Sequence, residues 1–150
     1  MKSTEDVRDL NRQLVLEHIA AGNRGDLRAA VQVFASDTRN FGHPVGRDRV
    51  LVVLEDVYNT FPDWKIEVVE IATEADNVVV RCRVSGTHRG VARLPVNGGM
   101  LAGVKPTGKH FEALHIHWYK LGDGKIVDHY ATRDDIGMMV QLGLLTRRGA

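Results

Sequence analysis

Apolar residues in the first third of the chain recur at the three- and four-residue intervals of amphipathic helices. Ser3 or Thr4 would cap the first helix, and Gly22 and Gly25 would end it. A second helix is predicted over residues 26–35 and a third over residues 47–59. The expected buried positions are Val7, Leu10, Leu14 and Ile19 in the first helix, and Val50, Val53 or Leu54, Val57 and Phe61 in the third.

From Pro62 onward, apolar and polar residues alternate with the period of two that is typical of strands. Strands are predicted over residues 65–72, 77–88, 110–121 and 125–133, and a short helix over residues 136–142. Helices first and strands afterwards indicate the α+β class, with an antiparallel meander folded over a helical layer. One sheet face should cover a core or cavity. The other, with Arg81, Arg83 and Trp118, should meet solvent or a second subunit.

The alternation lapses between residues 89 and 109, where the segment 94–102 is both glycine-rich and apolar. Loops of this length without regular structure are usually functional or mobile. Two interpretations stay open. The segment is either a lid that reaches into a pocket with Met100 or Leu101, or a long hairpin arm or subunit contact.

The last two predicted strands carry three histidines that can share one face. His115 and His117 stand two residues apart on one strand, so their side chains lie on the same side, about 6.5–7 Å apart. A three-residue hairpin loop with Gly124 in the left-handed conformation makes His129 a diagonal neighbour of His117, at about 7–8 Å. That register pairs His115 with Arg133, His117 with Ala131, and Tyr119 with His129. A two-residue loop would shift the pairing by one and turn His129 away.

The composition excludes several classes of protein. The 150 residues fit one domain, and 20 basic against 19 acidic residues give a net charge of +1, so nucleic acid is not an expected partner. The start of the chain lacks the apolar core of a signal sequence, and no window approaches the roughly 18 apolar residues of a membrane span. We therefore expect a cytoplasmic protein with no membrane contact. The single cysteine, Cys82, excludes an internal disulfide and is expected to be an inert core thiol.

Clustered imidazoles indicate proton transfer, because the ordinary histidine pKa of about 6.5 lies close to neutral pH. His117 is expected to be catalytic or to orient a substrate. The alternative is a cavity-wall residue bound to water or Tyr119. Asp134 could supply a carboxyl group, although Asp134 or Asp135 also stands where the last helix needs a cap. A zinc site on the three histidines is a further alternative, but no metal is expected.

Five short motifs carry a resemblance to a known family. They are Phe61-Pro62-Asp63-Trp64, Thr87-His88-Arg89-Gly90, Pro106-Thr107-Gly108-Lys109, Asp123-Gly124-Lys125-Ile126, and the ending from Asp134-Asp135-Ile136-Gly137 to Leu142-Gly143. In this order they resemble the SnoaL-like polyketide cyclases of the nuclear-transport-factor-2-like superfamily, over residues 5–145. The resemblance implies a cone-shaped α+β barrel, with a curved sheet wrapped around three helices, an internal cavity and often a dimer.

The resemblance also implies a chemistry, with one departure. Cyclases of the family close a ring by intramolecular aldol condensation without a metal or an organic cofactor. Their catalytic carboxylate on the last strand faces a histidine of the preceding strand. The histidine aligns with His117, but the carboxylate aligns with Ala131, which cannot move a proton. His115 stands where such cyclases carry glutamine.

The leading hypothesis is an enzyme that binds a small apolar carbonyl compound, polyketide-like or steroid-like, and moves protons on carbons next to carbonyls. The alternatives are a cofactor-independent hydroxylase of aromatic polyketides, as the resemblance suggests, and a binding protein that has lost the reaction. A homodimer without any cofactor is expected. The candidate catalytic residues are His117, His129, His115 and Asp134, and the candidate substrate contacts are Tyr58, Trp64, Met100 and Tyr119.

Overall fold

Three N-terminal helices form the helical layer, as the apolar spacing predicts. The computed structural model describes residues 4–95 and 99–149. The helices are α1 (Thr4–Asn23), α2 (Leu27–Gln32), α3 (Arg47–Thr60) and the C-terminal α4 (Asp135–Gln141). Asp26 caps α2, because its carboxylate accepts a hydrogen bond from the Ala29 amide at 3.1 Å. The cap predicted at Ser3 lies outside the described residues, and Thr4 is already helical.

Burial in α1 follows a stripe one position away from the predicted one. Asn11, Val15 and Ile19 are buried at four-residue spacing, whereas Val7 and Leu10 are largely exposed. The prediction was therefore wrong at the start of this helix. The phase of a helix is set by the face that packs on its neighbours, and here Asn11 takes the inward position that apolar spacing assigned to Leu10.

The strands form a small hairpin and one large antiparallel sheet. The hairpin pairs β1 (Arg39–Asn40) with β2 (His43–Pro44), and the sheet has the order β3 (Lys65–Glu74), β4 (Asn77–Thr87), β5 (His110–Gly122) and β6 (Lys125–Arg133). The meander and the α+β class are confirmed. The hairpin was not predicted, because two-residue strands are too short to show a period. Phe41 and Gly42 make its turn, both with positive φ.

The turn between β5 and β6 contains two residues, not the predicted three. Gly122 pairs with Lys125, and the residues between them, Asp123 and Gly124, have φ of 49° and 70°. Positive φ at both positions is typical of the type I′ turn, whose twist matches that of the flanking strands. The predicted loop length was therefore wrong.

A bulge in β6 nevertheless preserves the predicted register. Lys120 pairs with Asp128, and Leu121 pairs with Ile126, so Val127 is the extra residue on β6. The bulge adds back the one residue that the shorter turn removes. Beyond it the observed pairs are His115 with Arg133, His117 with Ala131, and Tyr119 with His129, as predicted.

The two faces of the sheet differ as expected. Arg81 and Arg83 on the outer face form exposed ion pairs with acidic residues of neighbouring strands, and Trp118 is also exposed. Cys82, between the two arginines, is fully buried on the inner face, and burial raises the pKa of its thiol to about 11. A thiol in that state is unreactive at neutral pH. Among the helices of residues 4–95 and 99–149, none combines the length and the apolar character that a membrane span requires.

Candidate active site

A cavity of about 420 Å³ lies between α3 and the inner face of the sheet, where the sequence predicted one. The α3 wall is apolar and consists of Val50, Val53, Leu54 and Val57, which are half-buried because they border the cavity. The wall formed by β5 and β6 is polar and carries His115, His117, Tyr119, His129 and Arg133. The other lining residues are His18, Phe34, Arg39, Asn40, Phe41, Val45, Thr60, Phe61, Trp64, Ile66, Ala92, Pro95 and Leu101.

The predicted histidine face is present. His115, His117 and Tyr119 alternate along β5 and therefore share the inner face, and His129 joins them from β6. His115 and Tyr119 are buried, and His117 and His129 are partly buried at the cavity surface. The bulged register of β6 thus brings the three predicted histidines into one cavity.

His117 and His129 form a hydrogen-bonded pair. The distance from His117 Nδ1 to His129 Nε2 is 2.9 Å, and the two rings are nearly parallel, with an interplanar angle of 18°. One nitrogen must donate its proton and the other must accept it, so the pair has two tautomeric forms. His117 Nε2 and His115 Nδ1 are buried without a hydrogen-bond partner in the described protein. The partner of His117 is His129 and not Tyr119.

A fourth histidine reaches the cavity from α1. His18 Nδ1 donates to the Ala30 carbonyl oxygen at 2.8 Å, which leaves Nε2 as the unprotonated nitrogen of the neutral ring. The ring makes edge contacts with Phe34 and Tyr119. His18 was not among the candidate residues predicted from the sequence. The sequence signal that could have indicated it is its position between Val15 and Ile19 on the buried face of α1.

Burial keeps these histidines neutral at pH 7. It lowers the pKa of His115 to about 4, with a smaller contribution from the Arg133 charge. Burial also lowers the pKa of His129 to about 3, followed by the effect of His18. The pKa of His117 lies well below its ordinary value, first through burial and then through His129. The expectation of ordinary values near 6.5 was therefore wrong, because it ignored desolvation of the charged ring.

The predicted substrate contacts divide into two groups. Trp64 and Tyr119 line the cavity as expected. Tyr58 does not, and its hydroxyl group lies instead against α1, 3.1 Å from where a Cβ on Gly22 would stand. Met100 is 36% exposed and outside the cavity wall, whereas its neighbour Leu101 is buried and lines it. The structure therefore places Tyr58 and Met100 away from the cavity, which corrects their prediction as substrate contacts.

Asp134 is the cap of α4. Its carboxylate accepts a hydrogen bond from the Gly137 amide at 2.8 Å, and the residue is exposed and does not line the cavity. The capping interpretation of Asp134 is confirmed, and the placement needed for direct catalysis is not observed. No carboxylate of the described residues lines the cavity wall.

Two buried carboxylates that the sequence did not reveal hold the edges of the cavity. Asp128 is buried and accepts hydrogen bonds from the Gly42 amide and the Tyr130 hydroxyl. It thereby holds the β1–β2 hairpin. Asp56 of α3 accepts from the amides of Arg93 and Leu94 and holds the long loop. Residues 96–98 of the proposed lid lie outside the described residues.

The histidines are not arranged as a metal site. Among residues 4–95 and 99–149, no group of three or more histidine, cysteine, aspartate or glutamate side chains could hold a metal ion. His117 Nδ1 and His129 Nε2 bond directly to each other, whereas zinc ligands surround one ion at about 2.0–2.1 Å. The zinc alternative receives no support from this geometry.

Comparison with known proteins gives a consistent picture. The family model for SnoaL-like polyketide cyclase matches residues 12–142. AclR of Streptomyces galilaeus, a proposed hydroxylase, is 28% identical with a TM-score of 0.77, over 93% of this chain and 99% of AclR. IdmH of Streptomyces antibioticus, a proposed polyketide cyclase, is 28% identical with a TM-score of 0.72, over 89% and 98%. TsrD of Streptomyces laurentii is 25% identical with a TM-score of 0.78, over 92% and 98%. No curated protein matches the sequence.

Proposed function

Because the chain belongs to the SnoaL-like polyketide cyclase family, we propose that it is an enzyme that moves protons on carbons next to carbonyl groups in a polyketide-like compound. The observation that carries the proposal is the hydrogen-bonded pair of His117 and His129 in the wall of an otherwise largely apolar cavity. Neutral imidazoles placed in such a cavity can accept or donate a proton without a carboxylate. The pair would replace the carboxylate whose place Ala131 occupies.

The proposed reaction is an intramolecular aldol-type ring closure. In the tautomer in which His117 Nδ1 donates to His129, His117 Nε2 has a free electron pair and takes a proton from the carbon between two carbonyls. The resulting enolate carbon attacks a second carbonyl carbon, and the alkoxide formed takes the same proton back. No proton or electron is gained or lost overall.

The lowered histidine pKa values restrict the substrate. An imidazole that resists protonation removes protons effectively only from carbons that hold them weakly, such as a methylene between two carbonyls or between a carbonyl and an aromatic ring. The largely apolar surroundings strengthen the attraction between the transient imidazolium and the enolate. His129 stabilises that charge by sharing the proton across the 2.9 Å contact.

Proton exchange tests the proposal most simply. 2-Tetralone, a bicyclic ketone with acidic α-hydrogens, is incubated with the protein in D₂O, and deuterium uptake is followed by NMR. We expect catalysed exchange that falls by about 10²- to 10⁴-fold in His117→Ala, the usual scale of acid–base catalysis. The control is His43→Ala, an exposed histidine outside the cavity. Equal rates in the wild-type protein and His117→Ala would contradict the proposal.

A second candidate function is cofactor-independent hydroxylation, because the 28% identical AclR is a proposed hydroxylase. Oxygen uptake with a dihydroquinone substrate separates hydroxylation from ring closure.

The third candidate, a binding protein without a reaction, rests on Ala131 in place of the family's aspartate. Compounds that remain bound through purification, identified by mass spectrometry and unchanged after long incubation, would favour it.

We also propose a homodimer formed through the outer face of β5. Leu114, Ile116 and Trp118 alternate along this face and are exposed. Contiguous apolar surface of this kind is typical of a contact with another protein. Sedimentation velocity should show a dimer for the wild-type protein and a monomer for Trp118→Glu, and a monomeric wild-type protein would contradict the proposal.

A further inference from the structure

We propose that the substrate enters the cavity as an anion, a carbonyl compound that also carries a carboxylate group, and that Arg133 binds this carboxylate. The inference rests on the proposed function and specifies its substrate class. It begins from the charged groups of the cavity wall. Arg39 and Arg133 line the cavity, whereas no aspartate or glutamate of the described segments does. The histidines of the wall are neutral, so the surface that a ligand meets is cationic.

Arg133 has hydrogen-bond donors to spare. It lies on β6 directly opposite His115, and its side chain is 30% exposed. Its nearest ion-pair partner is Asp135, whose Oδ2 lies 3.6 Å from Arg133 Nε, too far for a hydrogen bond. Nε itself is buried without a hydrogen-bond partner in the described protein. A guanidinium group has five N–H donors in a planar fork that matches a carboxylate.

The carboxylates near Arg133 do not compete for the ligand site. The Asp134 carboxylate already accepts a hydrogen bond from the Gly137 amide at the start of α4. Asp128 accepts from the Gly42 amide, the His129 amide and the Tyr130 hydroxyl. Among the described residues, Asp135 is the one carboxylate in ion-pair contact with Arg133, and it does not line the cavity. None of these three carboxylates lines the cavity, whereas Arg133 does.

The shape of the cavity indicates how such a molecule would lie. The α3 wall offers aliphatic side chains to an apolar ring system, and Arg133 stands at one end of the polar wall, next to His115. The His115 and His117 ring centres are 5.5 Å apart, so a carboxylate on Arg133 places the adjoining carbons along His117 and His129. Arg39, on the exposed hairpin, adds positive charge near the same ligand. Charges of this kind attract anions before they bind.

The experiment compares two probes of similar shape, 2-naphthoate and its neutral methyl ester, by isothermal titration calorimetry. We expect the wild-type protein to bind 2-naphthoate at least about tenfold more tightly than the ester, the scale of a charge-assisted hydrogen bond. Arg133→Gln should remove this preference, and Arg133→Lys should keep part of it. The matched control is Arg81→Gln, which removes an arginine from the outer face and should retain the full preference.

Two results would overturn the inference. The first is that the wild-type protein binds the ester as tightly as 2-naphthoate or more tightly. This measurement does not depend on whether any variant folds. The second is an Arg133→Gln protein that retains its preference for the anion. The proposed proton transfer is tested separately, because His117→Ala should lose exchange on 2-tetralone and keep the preference for 2-naphthoate. Anion preference without any exchange would therefore overturn the proposed reaction and leave the anion site standing.

Discussion

The two faces of β5 differ in a way that reverses the usual distribution of residues. On the inner face, His115, His117 and Tyr119 place polar groups in a cavity and in the core. On the outer face, the exposed fractions of Leu114, Ile116 and Trp118 are 56%, 46% and 46%. One strand with a period of two thus has buried polar rings on one side and apolar side chains in water on the other.

The contrast leads us to expect that each face of β5 contacts a partner of its own. Buried polar atoms without hydrogen bonds destabilise a fold, so His115 Nδ1 and His117 Nε2 are expected to serve a ligand. Apolar side chains in water are best explained by a protein that covers them. We therefore propose that chemistry belongs to the inner face of the sheet and association to the outer face.

The largest loss of exchange activity in this comparison is expected from a substitution on the inner face, beside the proposed base His117. In His129→Ala, His117 loses the hydrogen bond that shares its proton, and exchange on 2-tetralone should fall by about 10²-fold. Ile116→Ala, between His115 and His117 but on the opposite face, should leave the rate nearly unchanged. Similar losses of exchange rate in both variants would contradict the assignment of catalysis to the inner face and of association to the outer face.

Stability against acid should depend on the inner face. The pKa values of His115 and His129 lie at about 4 and about 3 in the folded protein, below the unfolded value of about 6.5. As pH falls below 6.5 the unfolded chain binds protons that the folded chain refuses, so stability present at pH 7 is lost. Each residue should contribute a loss of about 2 kcal/mol between pH 6.5 and pH 5.

Urea unfolding at pH 7 and at pH 5 measures this loss, and His115→Gln serves as the comparison variant. Its free energy of unfolding should fall by about 2 kcal/mol less than that of the wild-type protein between the two pH values. An equal fall in the two proteins would mean that His115 titrates normally in the folded state.

Asp134, at the end of β6, tests whether a polar residue near the cavity has a structural role or a catalytic one. Asp134→Ala should lower the free energy of unfolding by about 1 kcal/mol through loss of the α4 cap. Exchange on 2-tetralone should stay within about twofold of wild type, on the scale of an indirect effect rather than of a lost acid–base group. A rate loss as large as that of His117→Ala would restore the catalytic interpretation of Asp134.

The smallest effect is expected on the outer face. The ion pair between Arg81 and Glu70 has a 3.0 Å contact, but both side chains are largely exposed. Arg81→Ala should therefore change the free energy of unfolding by less than about 1 kcal/mol. A larger loss in thermal or urea unfolding would indicate that the proposed dimer contact extends from β5 to Arg81.

The sequence predicted the order of the helices and of the four long strands, and it predicted the histidine face, because strand period and a glycine-containing turn are local properties. It predicted the correct register with a wrong loop length, since the bulge at Val127 offsets the two-residue turn. His18 and the anchor Asp56 were missed because their partners, Ala30 and the amides of Arg93 and Leu94, depend on tertiary packing. The same holds for the histidine pKa values, which depend on burial.

Nitrogen-15 NMR of the imidazole rings tests the central claim most directly, since the ¹⁵N shifts distinguish neutral from charged rings. At pH 5 we expect His117 and His129 to remain neutral, with one proton shared across their 2.9 Å contact. Rings of His117 and His129 that gain a second proton near pH 6.5, the ordinary histidine value, would show that burial does not keep them neutral.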